Sequence, residues 1–183
     1  MQISELDSIV EQSLRSFYSE ICSLGWCGRE REMVSLFALG HLAQHCYPNG
    51  PLRLTQMGIE VAVPQLPGER KKKDVCKDLV IWPEDKMTCW NDKFDLCREP
   101  MAVLEWKANY VKNSRDHAKN RREHESDIQW LRDTSNRIVA CDFVGYAVLI
   151  ESACSPKELT CVRICRGKDE RWIKIPAATL TPV

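Results

Sequence analysis

The apolar run Met101–Ala108 constrains this chain more than any other segment, because it carries two charged residues. Its length and composition predict a buried β-strand. Side chains at positions i and i+2 of a strand point the same way, so Glu105 and Lys107 share one face while Leu104 and Trp106 share the other. A charge taken out of water is costly unless it is paired or binds a metal. The two charged residues therefore form either a salt bridge at a strand end or part of a functional site.

The pattern Glu-x-Lys is weak evidence without its context. It occurs at Glu69–Lys71, Glu84–Lys86 and Glu105–Lys107. The first copy lies in a charged run and the second follows Pro83, so both are predicted to lie in solvated loops. Only the third copy is embedded in apolar sequence, which favours a functional interpretation of Glu105 and Lys107.

A second predicted strand, Lys77–Trp82, begins with an acid and is stopped by Pro83. Neighbouring strands lie about 4.8 Å apart, so Asp78 and Glu105 could bind one hard cation such as Mg²⁺ between them. Lys107 would then orient an attacking water or offset negative charge on a scissile phosphate. Together the three residues predict phosphodiester hydrolysis.

These elements resemble the PD-(D/E)xK nuclease superfamily, whose signature is an acid on one strand and Glu/Asp-x-Lys on the next. The similarity covers roughly residues 29–150 and follows the order of an uncharacterised bacterial branch. Its matching segments are Glu30–Val34, Gly58–Ala62, Lys77–Ile81, Val103–Asn109 and Gly145–Ile150. The resemblance implies a restriction-endonuclease-like fold, an α/β mixed sheet flanked by helices, and Mg²⁺-dependent cleavage, with Mn²⁺ as a substitute.

Two residues depart from the family pattern. Lys77 replaces the proline that usually precedes the first acid, and Trp106 occupies the middle of the tripeptide, where a smaller residue is commoner. Neither change removes a functional group. Asp127 resembles a polar position that follows the signature in relatives.

Many relatives also carry a glutamate on the helix before the sheet, and here the choice is between Glu30 and Glu32. These positions lie about 200° apart on a helix, so only one can face the site. On a helical wheel Glu32 falls among Leu36 and Leu39, inside the apolar arc, and an acid there is explained by metal ligation. We therefore expect Glu32 to assist, although an acid favoured by the helix dipole would suit either position.

The chain of 183 residues is long enough for one domain. We expect an N-terminal helix and connection over residues 1–28, a nuclease-like core over 29–150 and C-terminal strands over 151–183. The sequence shows no membrane-spanning run and no signal peptide at its start, which predicts a cytoplasmic protein.

Ten cysteines are present, but none form a Cys-x-x-Cys pair, so a structural zinc site is not indicated. We expect most of them to be reduced and buried. Cys76, Cys141, Cys161 and Cys165 lie in or beside apolar strands, where cysteine serves as a small hydrophobic residue.

The 26 basic and 26 acidic residues balance, so attraction to nucleic acid must come from local clusters. Two clusters flank the predicted site strands. The residues expected to contact phosphates are Arg70, Lys71, Lys72, Lys73, Lys112, Arg115, Lys119 and Arg122. The alternative is that both clusters are solvated faces without a ligand.

Hydrophobic periodicity and turn residues predict the element order ααβββαβββ. The first helix carries Ile3, Leu6, Val10, Leu14, Phe17 and Ile21 at three- and four-residue steps, and the second runs over 29–46. Strands are predicted at 59–63, 77–82, 101–108, 141–150, 159–165 and 171–175, with a polar helix over 113–132.

The sequence therefore predicts a Mg²⁺-dependent nuclease acting on DNA. Asp78, Glu105 and Glu32 would bind the metal, and Lys107 would complete the catalytic set. The expected partners are nucleic acid and a second copy of the chain, with no membrane. Two alternatives stay open: a non-catalytic nucleic-acid or protein-binding module that keeps the fold, and a structural domain in which these charges are only paired.

Overall fold

A mixed six-stranded sheet forms the centre of the computed structural model, which describes residues 1–46, 49–64, 75–86, 90, 93, 98–109, 114–138, 142–152 and 157–176. The main elements are α1 (Ile3–Ser23), α2 (Glu30–Leu36), β1 (Met57–Val63), β2 (Val75–Ile81), β3 (Ala102–Asn109), α3 (Ser114–Arg137), β4 (Val144–Glu151), β5 (Glu158–Cys165) and β6 (Lys168–Ile175). The α/β class, with a mixed sheet flanked by helices, and the element order ααβββαβββ are both confirmed.

The strands lie in the sheet in chain order. β3 and β4 pair in parallel and are joined through α3, whereas all the other neighbouring strands are antiparallel. Parallel strands need such a crossover, and the helices then cover both faces of the central strands. This explains why almost every residue of β3 and β4 is buried.

One face of the sheet is covered by α1 and α2. The apolar residues of α1 repeat at helical spacing, so Leu6, Val10, Leu14, Phe17 and Ile21 form one stripe with no exposed surface. They pack with alternate residues of the strands, among them Leu79, Leu104 and Trp106. Trp106 lies 5.4 Å from Phe17 and 5.0 Å from Phe37 between ring centroids, so it fills the space between the helices and the sheet. Its size therefore serves packing, on the face away from Glu105 and Lys107.

α2 continues into a π-helical turn at Phe37–His41 and a 3₁₀ turn at Leu42–Cys46. A π turn inserts one extra residue per turn and so changes which side chains face the core. Its buried residue His41 lies 3.0 Å from Ser16 Oγ and 3.2 Å from Glu20. Burial lowers the pKa of His41, partly offset by the Glu20 carboxylate. These contacts hold the end of α2 against α1.

The other face is covered by α3. Leu131 of α3 packs with Val103 of β3 and Ala147 of β4 in a second apolar cluster. A Cβ at Gly145 would lie 2.9 Å from Leu131 Cδ2 and 3.0 Å from Leu131 Cβ. The absence of a side chain at Gly145 therefore lets α3 approach β4 closely, which sets the height of α3 above the sheet.

Cys22, Cys27, Cys46, Cys76, Cys161 and Cys165 are free thiols, as expected. The expectation that most cysteines are buried is wrong for this set, because only Cys161 is buried and Cys76 is exposed on β2. Cys141 lies outside the described residues. None of the described helices is long and apolar enough to cross a membrane.

Candidate active site

The pairing of β2 with β3 stops short of the predicted site. The register runs from Ile81↔Ala102 to Leu79↔Leu104. One residue further along, the Asp78 carboxylate accepts a hydrogen bond of 2.7 Å from the Trp106 backbone N–H. The Asp78 side chain thus takes the place of a backbone carbonyl of β2, and its carboxylate is held between β2 and β3. We call this point the sheet fork.

Glu105 lies at the sheet fork and is 5% exposed. Its carboxylate forms an ion pair with the ammonium of Lys77. Burial raises the pKa of Glu105 to about 7; the negative charges of Asp78 and Asp127 add to this, and Lys77 opposes it. Glu105 is therefore a buried carboxyl group in an environment that already holds excess negative charge.

Lys107 lies between acids from two helices. Its Nζ is 3.3 Å from Glu30 Oε1 of α2 and 3.4 Å from Asp127 Oδ2 of α3, and it donates to the Trp106 carbonyl at 3.0 Å. Burial alone would lower the pKa of Lys107, but the carboxylates of Asp127, Glu30 and Asp78 together raise it. Lys107 is therefore a fixed positive charge at neutral pH.

The expectation that Glu32 approaches this cluster is wrong. Glu32 is exposed, and its carboxylate accepts the Arg29 backbone N–H at 2.6 Å, which caps the start of α2. Glu30 instead reaches Lys107 from the same helical turn. The wheel placed Leu39 in the buried arc, yet Leu39 is 64% exposed, because it lies in the π-helical turn after α2, where the spacing of an ideal α-helix no longer predicts the buried face.

Asp127 comes from α3 and pairs with Lys107. Burial raises the pKa of Asp127, and the ammonium groups of Lys107 and Lys77 oppose the rise. Burial raises the pKa of Glu30 in the same way, with Lys107 opposing it. Asp127, the polar residue that follows the Glu-x-Lys motif in the sequence, is therefore part of the cluster of charges around Lys107.

Sequence reasoning missed two members of this neighbourhood. Lys77 pairs with Glu105, and His124 lies one helical turn before Asp127 and is buried. Burial lowers the pKa of His124 to about 4, with Lys107 adding to the effect, so the imidazole is neutral at pH 7. Lys77 could have been recognised from the sequence, because it stands where relatives of the resembled family have a proline. No pattern in α3 singled out His124.

The donor set suits a hard divalent cation. Glu30, Asp78, Glu105 and Asp127 supply four carboxylates against the two ammonium groups of Lys77 and Lys107, so full ionisation would leave two excess negative charges. Carboxylate oxygens are what Mg²⁺ binds. Within the described part of the chain, however, no three His, Cys, Asp or Glu side chains are arranged to hold a metal ion. The carboxylates are of the type that Mg²⁺ binds, but Lys77 occupies Glu105, and Lys107 occupies Glu30 and Asp127.

A small pocket of about 180 Å³ opens at the sheet fork. It is lined by Glu30, Arg31, Glu60, Cys76, Lys77 and Asp78. At its rim Arg31 pairs with Glu60, which adopts a positive φ of 51° in β1. Asp78 therefore lines a pocket that opens to the surface of the protein.

Two of the eight basic residues expected to contact phosphates have side chains within the described part of the structure. Lys119 and Arg122 are exposed on α3, where Lys119 lies 3.6 Å from Glu123. Arg70, Lys71, Lys72, Lys73 and Lys112, together with the side chain of Arg115, lie outside the described residues. The helix that carries Asp127 thus also presents two of the residues expected to contact phosphates.

Comparison with family models, with curated proteins and with solved structures gives no match to this chain. The likeness to the PD-(D/E)xK nucleases therefore rests on the motifs in the sequence.

Proposed function

We propose that this protein is a Mg²⁺-dependent nuclease that hydrolyses phosphodiester bonds, with DNA as the expected substrate and the cytoplasm as its place of action. The observation that carries the proposal is that the Asp78 carboxylate binds the Trp106 N–H, between Glu105 and Lys107, and acts electrostatically on both of these charged groups. Two acids and a lysine in a buried, negatively charged environment match metal-assisted phosphate chemistry better than a simple salt bridge, which would need only one acid for each lysine.

Each residue has a distinct part in this proposal. Asp78 and Glu105 would hold Mg²⁺, which supplies Lewis-acid polarisation of a phosphate oxygen and a nucleophilic water. Glu30 takes the helix position that we had expected Glu32 to fill. Lys107 is held at the same place by Glu30 and Asp127, so its ammonium can stabilise charge that develops on the phosphate without reorganising first.

Loss of Lys107 provides the catalytic test. Lys107→Ala should cut the cleavage rate about 10²–10³-fold, as removal of one positioned electrostatic donor does. Supercoiled plasmid, linear duplex and single strands should each be offered with Mg²⁺ and with Mn²⁺. The matched control is Lys174→Ala, which removes an exposed lysine paired with Glu158 on β6 and should cleave like wild type. Equal cleavage by wild type and Lys107→Ala would place the chemistry elsewhere.

The ion pair between Lys77 and Glu105 favours a second candidate, a non-catalytic binding module that retains this fold. In that case Glu105 is neutralised by Lys77, and no metal is needed. Thermal unfolding separates the two functions, because a ligand bound only by the native state raises the melting temperature. A nuclease site predicts stabilisation by Mg²⁺ in wild type that is lost in Asp78→Ala. Equal responses of the two proteins would support the binding module.

A further inference from the structure

Lys77 is one of the least exposed charged residues in the described part of the chain, at 6%. Lysine is almost never buried without a partner, because its ammonium is strongly hydrated. Here the ammonium has two partners: the Glu105 carboxylate, and the ring of Trp130, whose centroid lies 3.5 Å from Lys77 Nζ. A carboxylate on one side and an aromatic face on the other make a cation site built by β3 and α3.

The carboxylate that holds Lys77 is also one of the acids that the proposed function gives to Mg²⁺. Glu105 cannot keep a close ammonium and also accept a divalent cation at full strength, because the two cations repel each other at contact distance. Lys77 also adjoins Asp78, the other metal acid, and lines the pocket at the sheet fork. Any metal bound there has to compete with this side chain.

We propose that Lys77 is a resident cation that occupies Glu105 and is displaced when a divalent metal binds. Lys77 thereby sets the metal affinity of the site and keeps Glu105 neutralised until metal arrives. The pocket of about 180 Å³ gives its flexible side chain a route toward the surface. Lys77 is a positioning residue in this scheme, because it acts through Glu105. The inference rests on the proposed metal site.

The first test compares Mg²⁺ binding by calorimetry in wild type, Lys77→Met and Arg31→Met. Methionine keeps the length of the lysine chain without its charge, so Lys77→Met should bind Mg²⁺ at least tenfold more tightly than wild type. Arg31 lines the same pocket but pairs with Glu60. Arg31→Met should therefore change the affinity much less, since it removes a nearby positive charge without freeing Glu105.

The outcomes separate the two proposals. Equal Mg²⁺ affinity in wild type and Lys77→Met, or an equal gain in Arg31→Met, overturns the role of Lys77 and leaves the metal site standing. Absence of Mg²⁺ binding in all three folded proteins overturns the metal site and the role of Lys77 together. A tenfold gain confined to Lys77→Met supports both proposals.

Tryptophan fluorescence gives a second measurement that does not need the Lys77 variant to fold. Departure of the ammonium from the Trp130 ring should change the emission of wild type when Mg²⁺ is added. Trp130→Phe should lose this change. Trp172→Phe should keep it, because Trp172 lies in β6 against Tyr146. An unchanged Mg²⁺ response in Trp130→Phe would contradict displacement of Lys77.

Discussion

Glu30 and Glu32 show how much depends on single side chains in the first turn of α2. Glu30 forms an ion pair with Lys107, whereas Glu32 accepts the Arg29 N–H and caps the helix. Both are acids near a helix N-terminus, where a negative charge is favourable. Only their partners distinguish a site residue from a structural one.

Alanine at each position should therefore give a different result. Glu32→Ala should lower the free energy of unfolding by about 1 kcal/mol, as loss of a capping side chain does, and keep the stabilisation by Mg²⁺. Glu30→Ala should reduce that stabilisation and the cleavage rate, because Lys107 loses one of its two acids. Melting curves with and without Mg²⁺ measure both effects. The assignment fails if Glu32→Ala is the variant that loses the response to Mg²⁺.

At the scale of elements, α3 is the helix that completes the site. It carries Asp127, which pairs with Lys107, and Trp130, which lies against Lys77. Leu131 on the next position rests on Gly145 of β4. The distance between α3 and the sheet therefore controls both contacts at the sheet fork.

Gly145→Ala tests this arrangement. The added Cβ would meet Leu131 Cβ at 3.0 Å, so α3 has to move outward, and overpacking of this kind costs about 1–3 kcal/mol of unfolding free energy. Cleavage should slow, because Asp127 moves with the helix and no longer holds Lys107. Chemical denaturation measures the first effect and a cleavage assay the second.

Two further variants test whether the contact between residue 145 and Leu131 causes the loss of stability. Gly40→Ala adds the same methyl group where its nearest contact is Leu36 Cδ1 at 3.3 Å, a flexible side-chain end, and should change stability little. Leu131→Ala should cost less in the Gly145→Ala background than in wild type, since it relieves the clash that Gly145→Ala introduces. Additive costs would show that Gly145 and Leu131 do not interact.

At the scale of the whole molecule, the balanced net charge means that the proposed binding to nucleic acid would depend on local clusters of basic residues. Lys119 and Arg122 are exposed on α3, the helix that also brings Asp127 to the sheet fork. We expect a DNA strand that binds along α3 to contact these two cations. Pairing with a second copy of the chain stays a prediction.

Salt dependence of DNA binding tests this orientation. Each phosphate contact contributes about 0.9 to the slope of log K against log salt for duplex DNA. The double variant Lys119→Gln/Arg122→Gln should bind more weakly and lower the slope by about 1–2. Arg15→Gln, on α1 and on the opposite face of the sheet, is the matched control. Binding of the double variant with the slope of wild type would place DNA on another surface.

Local patterns in the sequence were sufficient for the class of fold and for part of the site. Strand alternation puts Glu105 and Lys107 on one face and Trp106 on the other, as the structure shows, because that geometry depends only on neighbouring residues. Helical spacing likewise identified the buried stripe of α1. Asp78 of β2 was expected beside β3, since consecutive strands commonly pair.

Only the tertiary structure decided which residues complete the site. The buried face of α2 depends on how its turns pack on α1 and the sheet, so a helical wheel chose Glu32 where packing selects Glu30. Alternation would direct Lys77 away from α3 together with Leu79, yet its ammonium reaches Glu105 and Trp130, because the β2–β3 ladder ends at the sheet fork. Asp127 joins the cluster through contacts between residues far apart in the chain, which no local pattern can supply.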